Sequence, residues 1–142
     1  MGNKRILIVD DDPDVRLGLH VRLAANGYDT FFAGDALTGI AEARKREPDL
    51  IILDLGLPAG DGFVVMERLQ RIASLSVVPI IVVSARDVRA NQERAVKAGA
   101  KAYLQKPVDN AELLAVIRRA LGEPGDDPAE PWPIVDPAAS AT

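Results

Sequence analysis

No cysteine occurs in the 142 residues. That excludes disulfides and thiolate metal sites and makes a reducing cytoplasm the expected compartment. There is one histidine, His20. It rules out a multi-histidine metal centre and leaves a Ser-His-Asp triad only if built on that residue; its plain reading is a helix histidine without chemistry. A basic excess is also missing. The formal net charge is −4, which disfavours direct nucleic-acid binding by the chain as a whole. No apolar run is long enough to span a bilayer. Met1-Gly2-Asn3-Lys4-Arg5 leads directly into a strand with no signal-peptide stretch before it. Asp10, Asp12 and Asp14 have the spacing of a calcium loop, but Val15 and Val21 stand where it needs glycine and glutamate.

What is present is a chain with 48% hydrophobic and 27% charged residues, normal for one globular domain with a real core. The organising stretch is Ile51-Ile52-Leu53-Asp54. A run of branched apolar residues reads as a strand buried on both faces, as in a parallel sheet. Ile6 to Val9, Ile80 to Val83 and Ala102 to Gln105 read as further strands, and Tyr28 to Ala33 as a short one. Between them lie helical patterns. Asp12-Pro13 starts the first, with Val15, Leu19 and Leu23 inward and Asn26-Gly27 as the stop. Asp35 caps the second, with Ala36, Ile40 and Ala43 inward. After the turn cluster Ala59-Gly60-Asp61-Gly62, the third runs from about Phe63 to Ile72. The fourth, Asp87 to Ala98, has only Val88, Ala95 and Val96 as an apolar face, so it is expected to be loosely held. Asp109 and Glu112 form a capping box for the last. Strand-helix repeated five times predicts an α/β three-layer sandwich around a five-stranded parallel sheet.

Parallel strands would bring their carboxyl ends to one rim, where open α/β sheets hold their ligands. Asp10, Asp11, Asp54, Ser84 and Lys106 all follow or end strands on that rim. Carboxylates this close repel unless a cation neutralises them. Oxygen ligands of this kind suit Mg²⁺. Lys106 supplies a fixed positive charge and Ser84 a hydroxyl for phosphoryl oxygens. Together these parts describe Asp54 as a nucleophile accepting a phosphoryl group.

The chain resembles a response-regulator receiver domain of bacterial two-component signalling. The resemblance runs from Lys4 to about Leu121. It rests on Ile-Val-Asp10-Asp11, Leu-Asp54-Leu-Gly-Leu-Pro58, Asp61-Gly62, Val-Ser84-Ala85, Ala-Gly99-Ala, Tyr103 and Lys106-Pro107. It implies a flavodoxin-like fold with strand order 2-1-3-4-5 and five helices. Asp54 matches the phospho-acceptor, Asp11 the direct Mg²⁺ ligand and Asp10 the partner acting mainly through water. Gly56 matches the position whose backbone carbonyl completes the metal site. Ser84 matches the switch hydroxyl and Tyr103 the aromatic that moves inward with it. Lys106 matches the family's lysine, and Lys106-Pro107 its cis peptide. The implied activity is Mg²⁺-dependent self-phosphorylation and slow self-dephosphorylation, without turnover of a separate substrate. The implied response is a switch in the surface made of the fourth helix, fifth strand and fifth helix.

The partners implied are a sensor histidine kinase or phosphotransfer protein and a downstream output domain or protein. A homodimer is the third. Lys101 and Ala102 stand where many DNA-binding relatives carry acidic residues for inter-subunit salt bridges. A competing reading is a haloacid-dehalogenase-type phosphatase with Asp10 as nucleophile in Asp10-x-Asp12. A flavin-binding module would need a phosphate loop after the first strand, which is absent. Residues 1–122 are expected to form the receiver domain. Residues 123–142, proline-rich and acidic, are expected to be a mobile tail or linker.

Overall fold

The computed structural model describes residues 2–57, 62–123 and 134–135. Five parallel strands are β1 (Arg5–Val9), β2 (Asp29–Ala33), β3 (Leu50–Leu53), β4 (Ile80–Ser84) and β5 (Ala100–Gln105). They lie in the order β2-β1-β3-β4-β5. Five helices connect them: α1 (Pro13–Ala25), α2 (Ala36–Arg46), α3 (Gly62–Gln70), α4 (Val88–Lys97) and α5 (Asn110–Ala120).

Alternation along the strands sorts the core into two halves. Leu7, Val9, Leu53 and Val82 pack with Phe63 and Met66 of α3. Ile6, Ile8, Ile52 and Val83 pack with Leu23 of α1 and Ile117 of α5. Helices therefore cover both faces, α1 and α5 on one, α2, α3 and α4 on the other. That is why β1, β3 and β4 are apolar at nearly every position.

Local signals end the helices where the sequence places them. The Asp12 carboxylate accepts from the N–H groups of Asp14 and Val15, and that of Asp35 from Thr38. Gly27, after α1, has φ +85°, a left-handed conformation that favours glycine. The Asp109 carboxylate accepts from the Ala111 N–H. That bond falls one position short of the bond a capping box makes.

Several expectations are corrected. α3 ends at Gln70, and Ile72 lies in the turn after it. β5 begins at Ala100 rather than Ala102. Val96, expected inward, is 52% exposed, because Val88 and Ala95 occupy the buried side of α4. A sixth strand, β6 (Ile134–Val135), pairs in parallel with β5 and extends the sheet beyond the five expected. The rest of the expected tail from residue 124 onward lies outside the described residues, as do Pro58 and the turn cluster Ala59 to Asp61. Among the described residues, no helix is long and apolar enough to cross a membrane.

Candidate functional site

The last rungs of the sheet bring the strand ends together. The Asp10 N–H donates to the Ala33 carbonyl at 3.0 Å, the Asp54 N–H to Val9 at 2.9 Å and the Lys106 N–H to Ser84 at 2.8 Å. These bonds place Asp10, Asp54, Ser84 and Lys106 along one edge. The Lys106–Pro107 peptide is cis.

On that edge the Lys106 ammonium donates to Asp10 Oδ2 at 2.7 Å and, more weakly, to Asp54 Oδ2 at 3.4 Å. The remaining oxygens are held by backbone. Asp10 Oδ1 accepts from the Asp12 N–H at 2.9 Å, and Asp54 Oδ1 from the Gly56 N–H at 3.0 Å. Asp10 and Asp54 are buried, while Asp11 is exposed. One carboxylate oxygen from each of the three lies within 4.8 Å of the others. Three converging acidic oxygens, two of them on fixed strand ends, fit a hard divalent cation such as Mg²⁺.

The electrostatics follow from burial and crowding. Burial raises the pKa of Asp10, against the hydrogen bonds from Lys106 and Asp12; the charge of Asp54 raises it further. For Lys106, burial acts to lower the pKa. The bond to Asp10 and the charges of both acids outweigh it, and the ammonium is held above its usual range. The cation is therefore locked on beside two carboxylates.

Gly62 explains how α3 starts so close to this site. A Cβ there would meet the Asp54 carbonyl oxygen and the Leu55 Cα, both at 2.7 Å. Only glycine lets the helix begin against the backbone of the acidic strand end. Gly56 is less crowded, since a Cβ would sit 3.7 Å from Asp54 Oδ1.

Ser84 is fully buried, and its hydroxyl accepts from the Arg86 N–H at 3.2 Å. Tyr103 is also buried, with 1% of its surface exposed. Its hydroxyl donates to the Arg86 carbonyl at 2.9 Å. Burial raises its pKa, against the Ser84 hydroxyl and the Arg86 charge. Gln105 completes the set, because its Oε1 accepts from the Val88 N–H at the start of α4 at 3.0 Å. Thus Ser84, Tyr103 and Gln105 all hold the connection between β4 and α4.

Gln105 was not singled out from sequence. Its signal is strand parity: it lies two residues after Tyr103 and so points to the same face. A groove between α1 and the β5–α5 turn was also missed. It is lined by Val15, Leu19, Val83, Lys106, Pro107 and Val108. His20 takes no part in the site. Its Nδ1 bonds the Thr30 hydroxyl, and its ring meets Phe32 edge-on at 5.7 Å.

Residues 6–118 match the family model described as response regulator receiver domain. The KDP operon transcriptional regulatory protein KdpE of Escherichia coli is 44% identical over 116 residues, covering 82% of this chain and 50% of KdpE. The chain therefore spans about half the length of that relative. Protein PilH of Pseudomonas aeruginosa is 35% identical over 117 residues, 82% of this chain and 97% of PilH. A solved receiver domain of the sensor histidine kinase PA1611, from Pseudomonas aeruginosa PAO1, superposes with a TM-score of 0.78. It is 28% identical, covers 87% of this chain and 100% of its own, and has a magnesium ion coordinated in its active site cleft.

Proposed function

The chain belongs to the response regulator receiver family of two-component signalling, and we propose that Asp54 is its phosphoryl acceptor. The observation that carries this reading is the Lys106 ammonium, 3.4 Å from Asp54 Oδ2 on a rim shared with two further acids. A carboxylate with a fixed cation beside it and a second acid cluster behind it is arranged to receive an anionic group.

Asp10, Asp11, Asp54 and the Gly56 carbonyl would hold Mg²⁺, which when bound supplies the positive charge that lets a carboxylate approach a phosphoryl group. The magnesium in the PA1611 receiver supports that assignment. An Asp54 oxygen attacks phosphorus, and a P–O bond forms. The phosphorus–nitrogen bond of the donor's phosphohistidine breaks, and its electron pair returns to the imidazole. Lys106 binds a phosphoryl oxygen, and the Ser84 hydroxyl turns from the Arg86 N–H to bond another. Later attack of water on phosphorus releases inorganic phosphate and restores the carboxylate. The chain is thus a phospho-acceptor rather than an enzyme turning over a separate substrate.

The competing phosphatase reading needs Asp10 as nucleophile. Residues 6–118 match the receiver family instead. That argues against it.

The donor is a sensor histidine kinase or phosphotransfer protein, and the apolar groove beside Lys106 suits a helix of such a donor. Ser84 leaving Arg86 loosens the loop that Tyr103 also holds, which shifts the α4–β5–α5 surface. That surface addresses an output domain or protein, or a second copy of the chain. Residues 1–122 form the receiver unit and 123–142 a tail or linker, of which residues 134–135 return to the sheet as β6, in a cytoplasmic protein.

The test is labelling by acetyl phosphate with Mg²⁺. Wild type takes up a hydroxylamine-labile phosphoryl group, chelation of Mg²⁺ abolishes uptake, and Asp54→Ala takes up none. Label retained in Asp54→Ala but lost in Asp10→Asn would reverse the assignment.

A further inference from the structure

We propose that β6 is a strap: residues 134–135 cover the open edge of β5, and phosphorylation of Asp54 detaches them. The coupling half rests on the proposed role of Asp54; the covering half does not. Without β6, β5 would be an edge strand, with unpaired N–H and C=O groups open to any extended segment. β6 pairs there in parallel, Ile134 opposite Tyr103 and Val135 opposite Leu104. It also approaches α4. The surface expected to carry the response is thus occupied by the chain's own downstream segment.

Three features fit a strap rather than a permanent strand. It is two residues long, so few backbone bonds hold it and the loop that returns it must be closed each time. The sequence around it has opposite charge to the face it covers. Residues 123–142 carry Glu123, Asp126, Asp127, Glu130 and Asp136 and no lysine or arginine, whereas α4 and β5 carry Arg89, Arg94, Lys97 and Lys101 against the single acid Glu93, which pairs with Lys97 at 3.0 Å. Ile134–Val135 is an apolar pair within that acidic stretch.

The register supplies the coupling. Tyr103 is the residue β6 pairs with, and its hydroxyl is bonded to the Arg86 carbonyl in the loop that Ser84 also holds. Anything that draws Ser84 toward Asp54 changes the loop to which Tyr103 is tied. A small shift of Tyr103 along or across the sheet is enough to disturb a two-residue pairing. Detachment would expose the β5 edge for strand addition by a partner.

The experiment is residue-resolved amide exchange by NMR on the full chain, with Ile134→Pro as the strap-breaking variant. Proline at 134 removes an N–H without touching the described core. In the unphosphorylated state, the β5 amides that do not bond β4 should exchange on the order of tenfold faster in Ile134→Pro, with β1 and β3 unchanged. Equal exchange in the two proteins would show that nothing covers the edge and overturn the strap. With acetyl phosphate and Mg²⁺, wild type should acquire the fast β5 exchange of Ile134→Pro. If Asp54 is labelled and β5 stays slow, the coupling is wrong. If Asp54 is never labelled, the acceptor reading fails, while the comparison of the two unphosphorylated proteins still decides the strap.

Discussion

α5 and α4 flank the same strand, β5, yet they are held by different means. α5 buries Leu113, Val116 and Ile117. Its exit is tied back to the start of β2, where the Tyr28 hydroxyl donates to Glu123 Oε2 at 2.7 Å. α4 buries only Val88 and Ala95. Its attachment relies on polar contacts: Gln105 to the Val88 N–H, Tyr103 to the Arg86 carbonyl and the Arg94 guanidinium 3.9 Å over the Phe63 ring. Apolar burial is indifferent to a new charge at the sheet's rim. Directed bonds one or two residues from that rim are not. The difference teaches where a phosphoryl group can act: on the α4 side, where little burial must be undone.

The contrast can be broken most forcibly at α5. Ile117 is fully buried, so Ile117→Ala should cost about 2–5 kcal/mol of global stability in urea unfolding. A loss below about 1 kcal/mol, within the range of a surface change, would mean that α5 is not the anchored side.

The next test sharpens the α4 side. Tyr103→Phe keeps the ring and deletes the hydroxyl, with its bond to the Arg86 carbonyl and its contact with Ser84. Global stability should fall by about 1 kcal/mol, with the loss of amide protection concentrated in α4. Protection lost evenly over the sheet would erase the distinction between the two corners.

The smallest effect at neutral pH belongs to the Tyr28–Glu123 tie. Burial, and then the hydrogen bond and charge of Glu123, push the Tyr28 phenol up to about 12 from 10.0. The folded state keeps a proton that the unfolded chain loses near 10.0. Stability from this group is therefore complete below pH 10 and is lost as pH rises toward about 12. Glu123→Gln should bring the phenol titration, followed by tyrosinate absorbance, back toward 10.0. An unmoved titration would show that burial alone sets it.

Much of the fold was legible because its signals are short-range. Four-residue apolar runs marked β1, β3 and β4. Asp12, Asp35 and Asp109 marked helix starts because a cap bonds N–H groups only two or three residues away. The gathering of Asp10, Asp54 and Lys106 was legible one step further on, since parallel strands of like length must end together. The orientation of Val96 was not, because an apolar face of three residues leaves the rotation of α4 to its neighbours. Gln105 was overlooked for a related reason: its partner, the Val88 N–H, is 17 residues away.

By itself, the order of residues determined five strand-helix units, the rim on which the acids fall and the family to which the chain belongs. Periodicity, caps and strand ends are properties of adjacent residues, and no folding is needed to read them. Tertiary structure alone decided that Lys106 lies nearer Asp10 than Asp54, that Tyr103 holds the loop after β4, and that Ile134 lies opposite Tyr103. Each of those depends on angstrom-scale placement of groups distant in the chain, which packing fixes and local pattern does not.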